Sequence, residues 1–99
     1  MRLGRRFRIN SGALKDIVVL ELGSLIAAPF ATRLLADFGA RVIKVEALTG
    51  DPLRQWGIQH PDLGTSYWSL VQSRSKELVA IDLHKPEGAA LVLCTGQIC

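Results

Sequence analysis

A segment of thirty residues, from Ile17 to Glu46, constrains the fold of this chain more than any other feature of the sequence. It begins with a short apolar run, passes through a stretch with helical spacing, and ends in a second run rich in β-branched residues. A strand, a helix and a strand in this length form a βαβ unit, whose strands are parallel and whose crossover is right-handed. The segment therefore predicts an α/β fold organised around parallel strands.

Local signals set the boundaries of these elements. The first strand is predicted over 17–22 (IVVLEL), a run typical of a strand that is buried on both faces. Pro29 suits the first helical turn, Gly39 suits the left-handed residue after the helix, and 41–46 (RVIKVE) is the second strand. The predicted apolar face of the helix comprises residues three or four apart: Phe30, Leu34, Leu35 and Phe38.

Residues 47–66 show neither helical nor strand patterning and contain several glycines and prolines. A connection this long within a compact domain is usually functional. Trp56 is expected to anchor the connection by burying its ring. The apolar run that follows, 67–71, is predicted to be helical or irregular, with Trp68 and Leu70 packed.

A third strand is predicted over 77–83 (ELVAIDL), after a polar turn. A second helix follows from Pro86, because proline fits the first helical position and Glu87 suits the positive end of the helix. Three strands and one full helix leave one face of the sheet largely uncovered. The chain alone is therefore predicted to be marginally stable, prone to aggregate, or disordered away from the βαβ unit.

The net charge of +3 comes from the basic residues that precede the first acid, Asp16. After residue 15 there are seven basic and nine acidic side chains, a net charge of −2. The body of the domain therefore lacks the positive surface of a nucleic-acid-binding protein. The leader, 1–13, is arginine-rich and free of acid, which is typical of a mitochondrial presequence; the other interpretation is an arm without function. No run approaches the roughly 20 apolar residues of a membrane span.

Both cysteines, Cys94 and Cys99, lie within the last six residues. Their spacing, without nearby histidines, does not make a metal site. They are predicted to be free thiols, which fits a reducing compartment.

A nicotinamide- or flavin-dependent dehydrogenase is the first alternative for a βαβ unit of this kind. Glu46 ends the second strand 23 residues after Gly23, near the place of a ribose-binding acid. However, Leu25 stands where the second glycine of the fingerprint must let the backbone approach a pyrophosphate. The dinucleotide interpretation is therefore rejected, and Glu46 is equally well explained as a solvated strand-end acid or an ion-pair partner.

Three blocks in the right order resemble the N-terminal part of family III CoA-transferases: LKDIVVLELGSLIAAPFATRLLADFGARVIKVE, GDPLRQWG and SRSKELVAIDLHKPEG. The resemblance covers residues 14–88 and is closest to the mitochondrial branch that acts on succinate and hydroxymethylglutarate. It implies a truncated Rossmann-like βαβ unit from the large domain and a mitochondrial, otherwise cytoplasmic, location. Full-length members form an interlocked homodimer, which is not expected for this fragment. Residues 89–99 diverge from the family pattern.

The resemblance also implies a site for coenzyme A or acyl-CoA, which are substrates rather than permanently bound cofactors. Ile26 and Ala27, at the end of the first loop, are expected to contact CoA or its acyl portion. Arg54 and Lys76 match recurrent basic positions and are expected to face the CoA phosphates, since both supply charge and hydrogen-bond donors. The adenine pocket is expected along the segment that ends the third strand: Ile81, Asp82, Leu83 and His84.

The reaction of the family uses an aspartate nucleophile, which attacks the acyl-CoA thioester and later carries CoA to the acceptor acid. No aspartate of this sequence matches that residue, so no catalytic residue and no metal ligand is assigned. The expected function is CoA transfer to carboxylic acids, with dicarboxylates such as succinate and glutarate as substrates, in a chain that is an N-terminal fragment. The alternatives are a fragment of an α-methylacyl-CoA racemase-type enzyme and a catalytically silent isoform.

Overall fold

The computed structural model describes residues 12–95; most of the basic leader and the last four residues lie outside that range. The described strands are β1 (Val18–Glu21), β2 (Arg41–Glu46) and β3 (Lys76–Ala80), and the helices are α1 (Ala27–Asp37), α2 (Tyr67–Gln72) and α3 (Pro86–Thr95). A short 3-10 helix, Pro52–Gln55, lies between β2 and α2. The strands are parallel and lie in the order β1-β2-β3, so β2 is central. This arrangement confirms the predicted α/β fold with parallel strands.

The predicted βαβ unit is present, and β2 has the predicted boundaries. β1 is one residue shorter than predicted at each end, and it is not buried on both faces as expected. Side chains alternate between the two faces of a strand. Val19 packs against the core cluster and Glu21 binds Thr32 of α1, whereas Val18 points to the opposite face and remains 63% exposed.

The end of α1 forms as predicted around Gly39, which has a φ of 107°. The Gly39 N–H donates to the carbonyl of Ala36 at 3.0 Å, and the Ala40 N–H donates to the carbonyl of Leu35 at 3.1 Å. These two bonds are those of a Schellman motif, which satisfies the last carbonyls of a helix and turns the chain. The chain is thereby directed into β2 beside β1.

The face of α1 that meets the sheet is not the predicted one. Its buried residues are Pro29, Thr32 and Ala36. The predicted set stays more than a third exposed: Phe30, Leu34, Leu35 and Phe38. The hydroxyl of Thr32 donates to the buried carboxylate of Glu21, and the small Ala36 allows close packing on Val42 in the core. A polar contact and a small residue therefore decide the orientation of the helix.

The connection between β2 and α2 is structured rather than irregular. Asp51 caps the 3-10 helix by accepting from the Leu53 N–H at 2.8 Å, and an antiparallel bridge joins Gln59 to Ser66. The ring of Trp56 contacts that of Trp68 edge-on, with centroids 5.7 Å apart. Trp56 nevertheless remains 39% exposed, so the expectation that its ring would be buried is wrong.

Residues 67–72 are helical, but the side chains expected to be packed there are not. Trp68 and Leu70 are exposed, whereas Ser69 and Gln72 are buried. Ser66 caps α2 through its hydroxyl, which accepts from the Ser69 N–H at 3.0 Å and donates to the Leu53 carbonyl at 2.9 Å. The polar side of this short helix therefore faces the 3-10 helix, because the Ser66 hydroxyl that caps α2 is bound to the Leu53 carbonyl.

β3 ends at Ala80, three residues earlier than predicted. The Ile81 N–H still donates to the Glu46 carbonyl at 2.9 Å, and the Asp82 side chain then accepts from the His84 N–H at 3.0 Å. This local bond turns the chain away from the sheet. Residues 81–84 therefore form a loop, and α3 begins at Pro86 as predicted.

Cys94, near the end of α3, is disulfide-bonded. The prediction of two free thiols is therefore wrong for this residue, and Cys99 lies outside the described residues. The spacing of two cysteines in a sequence does not fix their oxidation state.

Candidate functional site

A cleft of about 480 Å³ lies at the edge of the sheet where the three parallel strands end. Loops that follow parallel strands converge at this edge, which is where ligands bind in open α/β sheets. One wall follows β1, one follows β2 and one follows β3. The lining residues are 22–24 on the first wall, 45–52 on the second and 81–84 on the third.

The walls of the cleft are mostly apolar, with a few polar groups. The larger apolar side chains come from all three loops: Leu22, Val45, Leu48, Ile81 and Leu83. The polar lining residues are Ser24, Glu46, Thr49, Asp51, Asp82 and His84. Such a composition is typical of a small-molecule site. No lysine or arginine is among the described lining residues, so the cleft suits an uncharged ring better than a phosphate.

Beneath the cleft, two acids and two lysines form a buried ion cluster: Glu21, Lys44, Asp51 and Lys76. The Lys44 ammonium lies 2.8 Å from Glu21 Oε2 and 2.8 Å from Asp51 Oδ2. The Lys76 ammonium lies 2.9 Å from Glu21 Oε1 and donates to the Pro29 carbonyl at 2.9 Å. Each acid thus faces at least one ammonium, and the charges of the cluster balance.

The contacts within the cluster control its protonation. Burial raises the pKa of Glu21, but hydrogen bonds from Lys44, Lys76 and Thr32 outweigh burial and hold that pKa below its ordinary value. Burial likewise raises the pKa of Asp51, and the Lys44 ammonium brings it below the ordinary value. Burial lowers the pKa of Lys44, yet Asp51 and Glu21 raise it overall. For Lys76 burial dominates, so its pKa is lowered despite Glu21.

A second ion pair lies in the wall that follows β2. Arg54 binds Glu46 through both ends of its guanidinium, with Nη2–Oε1 at 2.7 Å and Nε–Oε2 at 3.1 Å. Burial raises the pKa of Glu46, but Arg54 and the Asp51 N–H hold it below the ordinary value. Glu46 is therefore an ion-pair partner, one of the two roles its sequence position suggested, while its side chain also borders the cleft.

The structure brings together half of the residues that the sequence assigns to the site. Residues 81–84 form the third wall of the cleft. Arg54 is beside the cleft and bound to Glu46, whereas the Lys76 side chain is 0% exposed within the ion cluster. Ile26 and Ala27, at the start of α1, are exposed outside the described lining of the cleft.

No site role was assigned to Glu21, Lys44 or Asp51 from the sequence. One signal could have found the first two. Glu21 and Lys44 are register partners on neighbouring parallel strands. An acid and a base at facing positions of two largely apolar strands indicate a buried pair, because a buried charge needs a partner. Asp51 offers no comparable signal, since its partners come from a loop and another strand.

Gly88, in the first turn of α3, packs directly against the third wall. A Cβ at this position would lie 2.0 Å from the Asp82 carbonyl oxygen. Gly88→Ala is expected to displace residues 81–84 and to lower the free energy of unfolding by about 1–3 kcal/mol. Urea denaturation measures the loss, and amide hydrogen exchange over 81–84 reports the displacement. Ala90→Ser, at an exposed position of the same helix, is the matched control; unchanged stability for Gly88→Ala would contradict the contact.

The model of CoA-transferase family III matches residues 14–94. Succinyl-CoA–D-citramalate CoA-transferase of Chloroflexus aurantiacus is 54% identical over 80 residues, which cover 80% of this chain and 20% of the relative. Human succinyl-CoA:glutarate CoA-transferase is 37% identical over 92 residues, which cover 91% of this chain and 20% of the relative. The chain therefore spans about a fifth of the length of these relatives.

Solved structures share the fold described above. A hypothetical protein of Mycobacterium tuberculosis superposes with a TM-score of 0.71 at 33% identity, over 86% of this chain and 23% of that protein. A CAIB/BAIF family protein of Brucella suis gives a TM-score of 0.70 at 34% identity, over 78% of this chain and 21% of that protein. Sequence and structure thus point to the same group of proteins.

Proposed function

The chain belongs to CoA-transferase family III, and from that premise we propose that it forms part of the CoA site of an enzyme that transfers CoA from an acyl-CoA to a carboxylic acid. Relatives are named for succinyl-CoA as donor and for citramalate, malate or glutarate as acceptor. A dicarboxylate acceptor is accordingly the substrate class proposed for the whole protein. For the whole protein, the proposal includes the interlocked dimer and the mitochondrial location implied by the resemblance; the dimer is not proposed for the present chain alone.

The cleft at the carboxyl edge of the sheet is the observation that carries this proposal. Its apolar walls suit the adenine ring of CoA, and Asp82 and His84 place polar groups at the third wall, where they would orient that ring. CoA enters as a substrate, and no permanently bound cofactor is proposed. Among the described residues, no cluster of three or more His, Cys, Asp or Glu side chains could hold a metal ion.

The basic residues have different roles in this proposal. Arg54 keeps about a quarter of its side chain exposed beside the cleft and would draw the CoA phosphates toward its entrance. Lys76 is enclosed by Glu21 and the Pro29 carbonyl, so it would support the site through the ion cluster rather than touch a phosphate. Ile26 and Ala27 are proposed to meet CoA or its acyl portion, since they follow the first wall after one intervening residue, Leu25.

The transfer chemistry itself is not assigned to a residue of this chain. Asp51 is buried against Lys44, Asp37 pairs with Arg74, and the Asp82 carboxylate accepts from the His84 N–H. These contacts give the three aspartates structural roles. In the part of the chain that the structure describes, no helix is long and apolar enough to cross a membrane.

Leu83→Asp tests whether the cleft binds the adenine end of CoA. A carboxylate placed in the third wall would be desolvated and would repel the CoA phosphates, so CoA is expected to bind at least about tenfold more weakly, equivalent to ~1.4 kcal/mol. Isothermal titration with CoA measures the change. Leu63→Asp, at an exposed position outside the described cleft lining, is the matched control and is expected to bind as the unaltered chain does.

A second titration uses pantetheine, which lacks both the adenosine and the phosphate groups of CoA. The unaltered chain is expected to bind CoA more tightly than pantetheine, and Leu83→Asp is expected to remove that difference. Equal affinity of the unaltered chain for both compounds would exclude an adenine site in this cleft.

A further inference from the structure

Leu25 lies in the loop between β1 and α1 with a φ of 65°. Residues other than glycine rarely adopt this left-handed conformation, because the side chain crowds the backbone. The preceding residues of the same loop, Leu22, Gly23 and Ser24, form the first wall of the cleft. Leu25 therefore lies between the first wall and the start of α1. Its backbone conformation sets the direction in which the first wall runs.

Two buried side chains hold this loop by its backbone. Asp51 Oδ1 accepts from the Leu25 N–H at 3.2 Å, and the Lys44 ammonium donates to the Gly23 carbonyl at 3.2 Å. Asp51 and Lys44 are also paired at 2.8 Å, and each side chain is 3% exposed. The loop is thus fixed at an amide and at a carbonyl by one buried ion pair.

Asp51 fixes the second wall at the same time. Its Oδ1 accepts from the Leu53 N–H at 2.8 Å, and its own N–H donates to Glu46 Oε2 at 3.0 Å. Asp51 and Glu46 both border the cleft. A single carboxylate therefore joins the loop after β1 to the loop after β2, and the two walls cannot move apart without breaking its bonds.

We propose that Asp51 is a positioning residue that holds Leu25 in its left-handed conformation and so keeps the first and second walls of the cleft in place for CoA. A site held in its binding conformation before the ligand arrives loses less conformational freedom on binding. The identity of the ligand rests on the proposed function above. The proposed effect of Asp51 on the conformation of Leu25 does not rest on that function, because it is a property of the chain without ligand.

Asp51→Ala is expected to weaken CoA binding about 5- to 30-fold, because the variant must again adopt the strained loop on binding. It is also expected to speed hydrogen exchange of the Leu25 amide in the absence of ligand. Isothermal titration and amide exchange followed by NMR measure the two effects. Asp62→Ala, which removes an exposed acid from the same connection, is the control and should change neither quantity.

Leu25→Gly in the Asp51→Ala background separates positioning from a general loss of stability. Glycine adopts positive φ readily, so the double variant is expected to recover part of the lost CoA affinity. If Asp51 acted only on global stability, glycine would add flexibility and weaken the chain further. Absence of any recovery would overturn the proposed link between Asp51 and Leu25.

The remaining outcomes also decide the question. If Asp51→Ala does not fold, Asp51→Asn replaces it. Its neutral Oδ1 can still accept from the Leu25 N–H, but more weakly than a carboxylate does, so a smaller increase in Leu25 exchange is expected. An exchange rate equal to that of the unaltered chain would overturn the proposed hold by the Asp51 carboxylate. If the unaltered chain does not bind CoA, the proposed function fails, while the Leu25 exchange rates still support or overturn the hold on the loop. Normal CoA binding by the unaltered chain and by a folded Asp51→Ala would overturn the positioning role alone.

Discussion

Glu21→Gln is expected to lower the free energy of unfolding by about 3–5 kcal/mol, because it removes the carboxylate shared by two buried ammonium groups. Glutamine keeps one acceptor oxygen and has an NH2 group in place of the other, so only one of Lys76 and Lys44 could keep its bond to residue 21. The other ammonium would face a donor group inside a site where the Lys76 side chain is 0% exposed. Lys44 would keep Asp51 alone as an acidic partner. An uncompensated buried charge costs far more than the loss of one surface ion pair.

Urea denaturation followed by tryptophan fluorescence measures this loss, since Trp56 and Trp68 lie against each other beside the 3-10 helix. Asp37→Asn is the matched control. It removes a carboxylate that binds Arg74 through both guanidinium contacts at the exposed surface, and no measurable loss is expected there. Equal stability losses for Glu21→Gln and Asp37→Asn would contradict the buried character of the cluster.

The ion cluster explains why the central strand carries charges inside an α/β sheet. Lys44 is buried in β2, and its ammonium reaches the loop after β1 and the carboxylate of Asp51. A sheet packed only with apolar side chains could be equally stable, because buried ion pairs repay their desolvation only when all their hydrogen bonds are satisfied. An apolar side chain, however, could not donate a hydrogen bond to the Gly23 carbonyl in the loop after β1, as Lys44 does. The cluster therefore connects the core of the sheet to the cleft.

Sequence predicted the parts of the fold whose signals are local. The boundaries of β2 were predicted correctly because Gly39 provides a left-handed turn just before it and β-branched residues fill it. Residues 81–84 were expected in the site through the family resemblance, and they lie with the other loops at the carboxyl edge of the sheet. The end of β3 was predicted three residues too late, since the hydrogen bond from the His84 N–H to Asp82 that follows the strand is a side-chain contact.

The face of α1 and the role of Lys76 could not be predicted from local patterns. Apolar spacing favoured Phe30 and its neighbours, but the orientation of the helix depends on Thr32 reaching Glu21 on another element. Lys76 was expected to face the CoA phosphates because it matches a recurrent basic position of the family, and its burial was not foreseen. Its partner Glu21 is 55 residues earlier in the chain, and only the parallel pairing of three strands brings the two together.

Acidification is the second change with a large expected effect, because three buried carboxylates act in the same direction. The pKa values of Glu21, Glu46 and Asp51 are all lower in the folded chain than their ordinary values of 4.5, 4.5 and 3.8. A carboxyl group with a lowered folded pKa stabilises the fold above its unfolded pKa and loses that contribution as pH falls toward the folded pKa. The urea midpoint is therefore expected to fall steeply below about pH 4.5, the ordinary pKa of the two glutamates.

Stability is expected to change much less at alkaline pH than at acid pH, because deprotonation of the two buried lysines has opposite effects on stability. Lys44 has a raised pKa, so its stabilising contribution is present below the unfolded value of 10.5 and is lost as pH rises through the folded pKa. Lys76 has a lowered pKa, so its deprotonation at rising pH favours the folded chain. Urea midpoints measured from about pH 3 to about pH 10 should thus give an asymmetric profile.

Glu21→Gln provides the internal control for the pH profile. Glutamine does not titrate, so this variant is expected to start from a lower stability and to lose less of it between about pH 5 and about pH 3 than the unaltered chain does. Asp62→Asn, at an exposed position, should follow the unaltered chain throughout. Equal acid slopes for Glu21→Gln and the unaltered chain would show that Glu21 does not contribute to the acid sensitivity. A shallower slope in Glu21→Gln alone would assign that part of the acid sensitivity to the carboxylate that joins Lys44 to Lys76.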